Sequence, residues 1–418
     1  MSAKRSLFLF ISICITSIIF ANEPVKDTLY TELKNDIVIL SSTKETNSLK
    51  TLPASVSVFS QKNLESFQVH NLKDLSAFVP NYLVADYGSK MTAPIYIRGI
   101  GARSGTQTVS LYIDNIPYFN TTSFDNELYD IQRVEILRGT QGTLYGRNAM
   151  GGILNIYTYS PLDYQGTTVK VGAGNYGLWS ADVSHFSKLN ETIGIGASVY
   201  YKQDDGYFTN EFTGDKVDDR KNGGGRIRLA WLIHPNLLAN YSVSYDYVDQ
   251  GAFPYANVAT GKIDYNSAGS YKRDLVTNGL SLRYKGSGYE INSTTGYQYL
   301  HDNMHMDQDY TRASMFRINQ KQRENSLSQE IAIKSENRSD YQWSYGIYGF
   351  YDYLNTYSPV YMMKDGVATL QSVFDRLQII VPGFPELKYT DDQIDLNSRF
   401  KRPIYGAAVF HQSTFNNI

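Results

Sequence analysis

The chain has 418 residues, a formal net charge of −2 and 42% hydrophobic residues. That length suits two or three ordinary domains or one large barrel. The apolar content excludes a disordered chain, and a near-neutral charge without a basic stripe excludes a nucleic-acid binder. Tyrosine is the outlier, with 35 residues beside 19 Phe and 3 Trp. Half-polar rings in that number suit strands at a lipid–water boundary, although composition alone equally allows a soluble all-β protein.

Lys4 and Arg5 precede an apolar run from Leu7 to Phe20, followed by Ala21-Asn22-Glu23-Pro24. This pattern predicts a secretory signal peptide over residues 1–21; the run is too short for a transmembrane helix. Ile19 is bulky for its place before the cut, which leaves the cleavage site open. The only cysteine, Cys14, lies inside this segment, and Ile13 before it argues against a lipid anchor. The mature chain is therefore free of disulfides in an oxidising compartment. Residues 22–51 are polar and weakly patterned apart from one apolar island, Asp36-Ile37-Val38-Ile39-Leu40. The residues allow two readings of that island: a β-prone peptide in a flexible arm, ready to add to a partner's sheet edge, or a short strand of the next domain.

Residues 52–160 read as a small mixed α/β domain. Strands are expected at 54–60, 95–99, 109–114, 133–138 and 153–157. Short helices are expected from Ser60 to Phe67 and, capped by Asn71, from Asn71 to Phe78, with a helical turn from Asn126 to Ile131. From residue 161 to 418 the texture changes to long alternating runs such as Ala239-Asn240-Tyr241-Ser242-Val243-Ser244-Tyr245-Asp246-Tyr247. About ten strands are predicted, near 167–175, 178–188, 193–204, 223–233, 237–248, 275–285, 289–301, 325–335, 341–355 and 403–415. Apart from a first tight hairpin at Asn175-Tyr176-Gly177, short connections alternate with long ones. Short turns on one side and long loops on the other are the asymmetry of an outer-membrane β-barrel.

Five glycines between Gly139 and Gly152 follow the apolar run Arg133-Val134-Glu135-Ile136-Leu137-Arg138. Neither G-x-G-x-x-G nor a P-loop spacing is present, and no useful helix follows, so the run is not a phosphate cradle. Tight turns and close backbone packing are the better reading. His301 and His305 are four residues apart on a strand or loop, where they do not converge as they would on a helix, so no metal site is expected. No arrangement of side chains asks to be read as catalytic, and no cofactor is implied.

Taken together, Ile97-Arg98-Gly99, Leu111-Tyr112-Ile113-Asp114, Arg133 to Gly139, Gly142-Thr143-Leu144-Tyr145-Gly146 and Gly151-Gly152-Ile153-Leu154-Asn155-Ile156 resemble the plug domain of TonB-dependent outer-membrane receptors. Within that family the siderophore receptors are the nearest likeness. The resemblance implies a mainly β protein in which a mixed α/β plug fills an antiparallel transmembrane barrel. It also implies active uptake, most plausibly of a ferric chelate, with cobalamin, haem or an oligosaccharide as alternatives. A passive porin or a β-rich adhesin are the rivals outside that class. Asp36, Ile37, Val38, Ile39 and Leu40 resemble the TonB box, which would pair with TonB, energised by the inner-membrane proton gradient. Arg98 and Arg138 would latch the plug through barrel glutamates, unless each merely caps local carbonyls. Ligand contacts are expected at plug apices, at Tyr87, Arg103, Ser104, Tyr118 and Phe119. Ten strands are fewer than the family's twenty-two and too few to enclose such a plug, so the sequence reads as the plug with the first part of a barrel.

Overall fold

The computed structural model describes residues 38–39, 47–48, 55–103, 107–335 and 341–415. The expected signal peptide, most of the arm, and Asp36, Ile37, Leu40 and Ser104 lie outside the described residues. Val38–Ile39 (β1) pairs antiparallel with Asn47–Ser48 (β2).

The plug begins with Ser55–Ser60 (β3), which runs into the helix Gln61–Ser66 (α1). Ser60 caps that helix reciprocally with Asn63, each side chain satisfying the other's backbone N–H. The second expected helix does not form. Asn71 bridges Glu127 instead, Asp74 accepts the N–H groups of His70 and Asn71, and only a 3₁₀ turn, Asp74–Ala77, remains. The same bridge removes the helical turn expected at Asn126 to Ile131. Then follow Tyr82–Val84 (β4), Ile95–Ile97 (β5), Val109–Ile113 (β6), Ile116–Tyr118 (β7), Ile131–Arg138 (β8), the single turn Gly142–Tyr145 (α2) and Gly152–Thr158 (β9). A five-stranded sheet has the order β3-β8-β9-β6-β7, with β6 parallel to β9. The glycine run ends at Gly152, whose φ is +155°, and a Cβ there would stand 2.3 Å from the Leu137 carbonyl oxygen. Backbone proximity explains that glycine, as the sequence implied.

The long strands are Gly166–Ala173 (β10), Trp179–Asn190 (β11), Ile193–Asp204 (β12), Arg220–His234 (β13), Leu237–Ala252 (β14), Gly269–Lys285 (β15), Tyr289–Asp307 (β16), Phe316–Ser335 (β17) and Tyr341–Tyr357 (β18). After them come Val360–Met362 (β19), the helix Lys364–Ile380 (α3), Ile394–Leu396 (β20) and Arg399–Phe415 (β21). All ten predicted strands are present, antiparallel and in chain order from β10 to β18 and then β21. Several extend beyond their predicted outer ends: β15 starts at Gly269, β16 reaches Asp307 and β17 starts at Phe316. Apolar alternation fades where strands leave hydrocarbon, but their ladders continue in water. β10 and β21 are the sheet's edges and do not pair with each other; in hydrocarbon each edge requires a further strand.

The sheet curves around the plug, with one face toward it and the other outward. Along β16, for example, Asn292, Thr294, Gln298, Leu300, Asp302 and Met304 are buried toward the plug. Tyr297 on the opposite face is exposed, as expected for a lipid-facing surface. Helix α3, in the long segment before β21, was not expected. Its signal was legible in Val367, Leu370, Phe374 and Leu377, which repeat at helical spacing.

Candidate ligand site and plug seat

The plug's contact with the long loops is built around residues 86–92. Ser89 caps the 3₁₀ turn Lys90–Thr92 by accepting the Met91 N–H. Gly88 has a φ of +79°, and a Cβ there would stand 2.5 Å from Pro254, so only glycine lets this turn meet the loop after β14. The Gly88 carbonyl accepts the Phe253 N–H at 2.9 Å, and Tyr255 donates its hydroxyl to the Tyr87 carbonyl at 2.9 Å.

Of the five sequence-predicted ligand residues, two come together here. The exposed Arg103 guanidinium lies 4.3 Å from the Tyr87 ring centroid, a cation–π contact. Tyr255 extends the aromatic surface to Tyr310, 5.2 Å away, and Tyr310 to Tyr265, 5.7 Å away. Sequence reasoning missed these three because loop tyrosines carry no periodic signal. Burial, and then Asp307 beside it, pushes the Tyr265 phenol up to about 12. Burial also raises Tyr255 and Tyr310. The three phenols therefore stay protonated at neutral pH; Tyr255 donates its proton to the Tyr87 carbonyl and the buried Tyr265 to the Phe253 carbonyl, so Tyr255 offers its ring face and an acceptor oxygen rather than a free donor.

Tyr118 and Phe119 sit elsewhere. Tyr118 is 5% exposed and belongs to the plug core, so it is not a surface apex. Phe119 is 8% exposed and packs against Phe350 of β18 at 5.6 Å. Both wedge the plug against the wall. They stand at the end of β7 and just beyond it, away from the hairpin tip, where the barrel wall covers them. Arg138 donates to the Pro80 carbonyl at 3.0 Å and Arg98 is exposed at a turn. Neither pairs with a carboxylate among the described residues.

The ion pairs that do cross the seam run the opposite way, from barrel cations to plug carboxylates. Arg226 of β13 pairs with Asp130. Arg228 reaches Asp114 at 3.3 Å and Asp130 at 3.8 Å, and donates to the Tyr159 carbonyl at 2.6 Å. Lys202 of β12 stands 3.8 Å from Glu127, which Lys90 also holds at 3.0 Å. Arg273 of β15, only 1% exposed, donates to the Thr122 carbonyl. One contact has the other polarity: Asn120 donates to Glu324 of β17 at 2.6 Å. Burial alone would raise the Glu127 carboxyl, but Lys90 and Lys202 outweigh it and hold it at about 2.

The tip of the β6–β7 hairpin anchors the same seam. Asp114 and Asn115 both take positive φ, the paired left-handed geometry of a tight hairpin. Next to them, Ile116 enters a notch made by the cross-strand glycines Gly279 and Gly296. A Cβ would stand 2.0 Å from Ile116 at the first and 2.7 Å at the second. Beside the tip, between Tyr157–Pro161 and β13–β15, lies a cavity of about 220 Å³, so the seam is incompletely packed at this end.

A plug seated against a curved antiparallel sheet, with aromatic rings and a cation under the loops, has the architecture of a plugged outer-membrane β-barrel. Residues 48–153 match the TonB-dependent Receptor Plug Domain. The pesticin receptor of Yersinia pestis is 27% identical over 200 residues, covering 47% of this chain and 30% of that protein. The vitamin B12 transporter BtuB of Photobacterium profundum is 23% identical over 288 residues, covering 63% of this chain and 43% of that protein. Among solved structures, the ferric yersiniabactin uptake receptor FyuA from Yersinia pestis superposes with a TM-score of 0.66 at 18% identity, covering 86% of this chain and 61% of that one. This chain thus spans less than two thirds of each. Residues 48–153 are therefore a TonB-dependent receptor plug domain, and the plug with its wall strands has the fold of the outer-membrane receptors that this chain resembles.

Proposed function

We propose that this chain is the plug-bearing part of a receptor that actively imports a ferric chelate across the outer membrane. The observation that carries this reading is the Arg103–Tyr87 pair beside Tyr255 and Tyr310 beneath the long loops. An anionic chelate presents oxygen acceptors and often aromatic rings. A guanidinium answers the charge, and the ring faces of Tyr87 and Tyr255 stack. The names of the yersiniabactin and pesticin receptors point the same way. Ser104 and Phe119 remain proposed ligand contacts, Tyr118 acts through packing, and Arg98 and Arg138 remain proposed latch residues for carboxylates outside those described. At the other end, Asp36, Ile37, Val38, Ile39 and Leu40 would pair with TonB by strand addition, which asks for β-propensity and reach rather than a special side chain.

The test is uptake of radio-iron-labelled chelates by cells carrying the whole receptor. Uptake should stop on collapsing the proton gradient and on deleting residues 36–40; persistence through both would mean a passive pore. In the intact receptor, Arg103→Ala should weaken chelate binding about tenfold, the loss of one charge-assisted contact. A rise in receptor abundance on iron starvation would support the iron reading. The vitamin B12 transporters among the relatives favour one second reading, cobalamin, which a labelled-cobalamin arm in the same assay decides.

A further inference from the structure

Cross-strand partners share a face, so the register sorts the plug-facing side chains of β14, β15, β16 and β17 into rows. Ser244, Thr277, Gln298 and Ser326 make one row. The next toward the short turns is Ser242, Gly279, Gly296 and Ser328, and the one after it, on β14 to β16, is Asn240, Ser281 and Thr294. These rows face the plug, yet they hold no Leu, Ile, Val or aromatic ring and no charged group. Gln298 and Ser326 are more than nine-tenths buried, and Gln298 Nε2 and Ser326 Oγ have no hydrogen-bond partner.

The seam is fastened differently beside this stripe and along it. On β12 and β13, Lys202, Arg226 and Arg228 tie the wall to Glu127, Asp130 and Asp114 by charge. Along the stripe the hairpin tip holds by shape, with Ile116 set between Gly279 and Gly296. Ile116 lies outside the plug's core cluster, so its withdrawal leaves that core packed. Toward the short turns, wall and plug part at the cavity of about 220 Å³, whose lining includes Asn240, Ser281, Arg228 and Arg283. Arg228 Nε is buried there without a partner, and Asp114, 3.3 Å from the same guanidinium, is the hairpin's own carboxylate. Asp114 is fixed to the plug by accepting the Thr158 N–H at 2.9 Å. When the tip leaves the wall, Asp114 leaves with it, and Arg228 turns its freed donors toward whatever fills the space.

A buried polar group without a partner costs free energy that water or a hydrogen-bonding solute recovers. A wall kept small, polar and uncharged beneath a plug suits a hydrophilic solute moving past it, because it offers hydrogen bonds without a charge to trap the solute. We propose that the passage for the imported solute opens along β14 to β17, by withdrawal of the Asp114-Asn115-Ile116 tip from its notch. The cavity is the periplasmic end of that passage, where the Arg228 and Arg283 guanidinium groups receive an anionic chelate. The inference rests on the import reading, but not on which side chains hold the chelate beneath the long loops.

The first experiment tethers the tip. A Cβ at Gly296 would stand 3.7 Å from the Ile116 Cβ, close to the separation of about 3.8 Å in a disulfide. The whole receptor carries Ile116→Cys and Gly296→Cys, with Cys14→Ser removing the one other cysteine of the sequence. Cells are given radio-iron in spent medium from an iron-starved culture. The oxidised receptor should bind the labelled chelate as before, while uptake falls in proportion to the cross-linked fraction and returns on reduction. Uptake that persists through complete cross-linking would overturn the passage. No uptake by the wild type would instead overturn the import reading, and the passage with it. The second experiment decides even where the tethered variant fails to fold. Ser281→Cys, at the cavity, and Ser198→Cys, beneath the plug on β12, are offered separately to a maleimide dye too large for porins. Ser281→Cys should label severalfold faster during uptake than at rest, and Ser198→Cys should stay protected. Equal labelling of the two would mean that the whole plug leaves, and no acceleration at Ser281→Cys would mean that the solute passes elsewhere; either result refutes the proposal.

Discussion

Inside the plug, Ile97, Leu111, Val134, Ile136 and Leu154 pack together with no measurable exposure. Across the seam to the wall, Arg226, Arg228, Lys202 and Arg273 reach Asp130, Asp114, Glu127 and the Thr122 carbonyl. Apolar contacts cross that seam too, at Leu275 and Leu300, which join the plug cluster, at Ile116 in its glycine notch, and in the ring pairs Phe119–Phe350 and Tyr129–Tyr200. Hydrocarbon contacts are lost outright when parted, whereas charges parted in water are rehydrated. The plug is thus built to keep its own core while exchanging its partners at the wall.

The largest effect that could break this comparison is in the core. Ile136→Ala or Leu154→Ala should destabilise the plug by about 2–5 kcal/mol each, from lost transfer energy and an unfilled cavity. Denaturant unfolding of the whole receptor, followed by a plug-specific probe, measures it. Losses below about 1 kcal/mol would place the plug's cohesion at the wall instead.

The seam comes next. The side chains of Arg226 and Asp130 are 7% and 1% exposed. Asp130→Asn or Arg226→Met alone removes the nearer partner of a buried charge, leaving Asp130 only Arg228 at 3.8 Å, and should cost up to about 3–5 kcal/mol, whereas the double variant should recover most of it. A double-mutant cycle on plug release, read by protease accessibility, tests the coupling. Additive single effects would show that the pair does not hold the plug. The notch is a smaller lever. Gly279→Ala pushes a methyl into Ile116 and should cost about 1–3 kcal/mol, relieved when Ile116→Ala is combined with it. If Ile116→Ala gives no relief, the hairpin tip is not seated there.

Much of this architecture was legible in the sequence, and the limits follow physical lines. All ten wall strands could be read because each alternates between a wet face and a lipid face. Their outer ends could not, since beyond the girdle both faces are wet. Helix Asn71 to Phe78 failed because a tertiary bridge to Glu127 captured Asn71. Arg103 and Tyr87 could be placed together, while Tyr255, Tyr265 and Tyr310 reach them only through loop geometry. Plug arginines suggested a latch; among the described residues the cations that reach across the seam come from β12, β13 and β15. Arg226 and Arg228 do stand on the polar face of an otherwise apolar alternation, a signal that charged lumen positions give away.

The smallest effect sharpens the comparison most directly, because pH acts on the seam and leaves hydrocarbon alone. Glu127 is held at about 2, well below an ordinary glutamate. A carboxyl with a depressed folded value contributes stability above its unfolded value, and that contribution fades as pH falls through the folded one. Lys90 is raised despite burial, by Asp125 and Glu127; its contribution is complete below its unfolded value and fades only as pH rises past the folded one. The seat should therefore be steady across neutral pH and loosen progressively from about pH 5 down to about pH 2. Plug protease accessibility against pH reads this directly. Glu127→Gln should flatten the acid limb while leaving the core's unfolding profile in denaturant unchanged. An acid limb that survives Glu127→Gln would refute Glu127 as the group whose protonation loosens the seat.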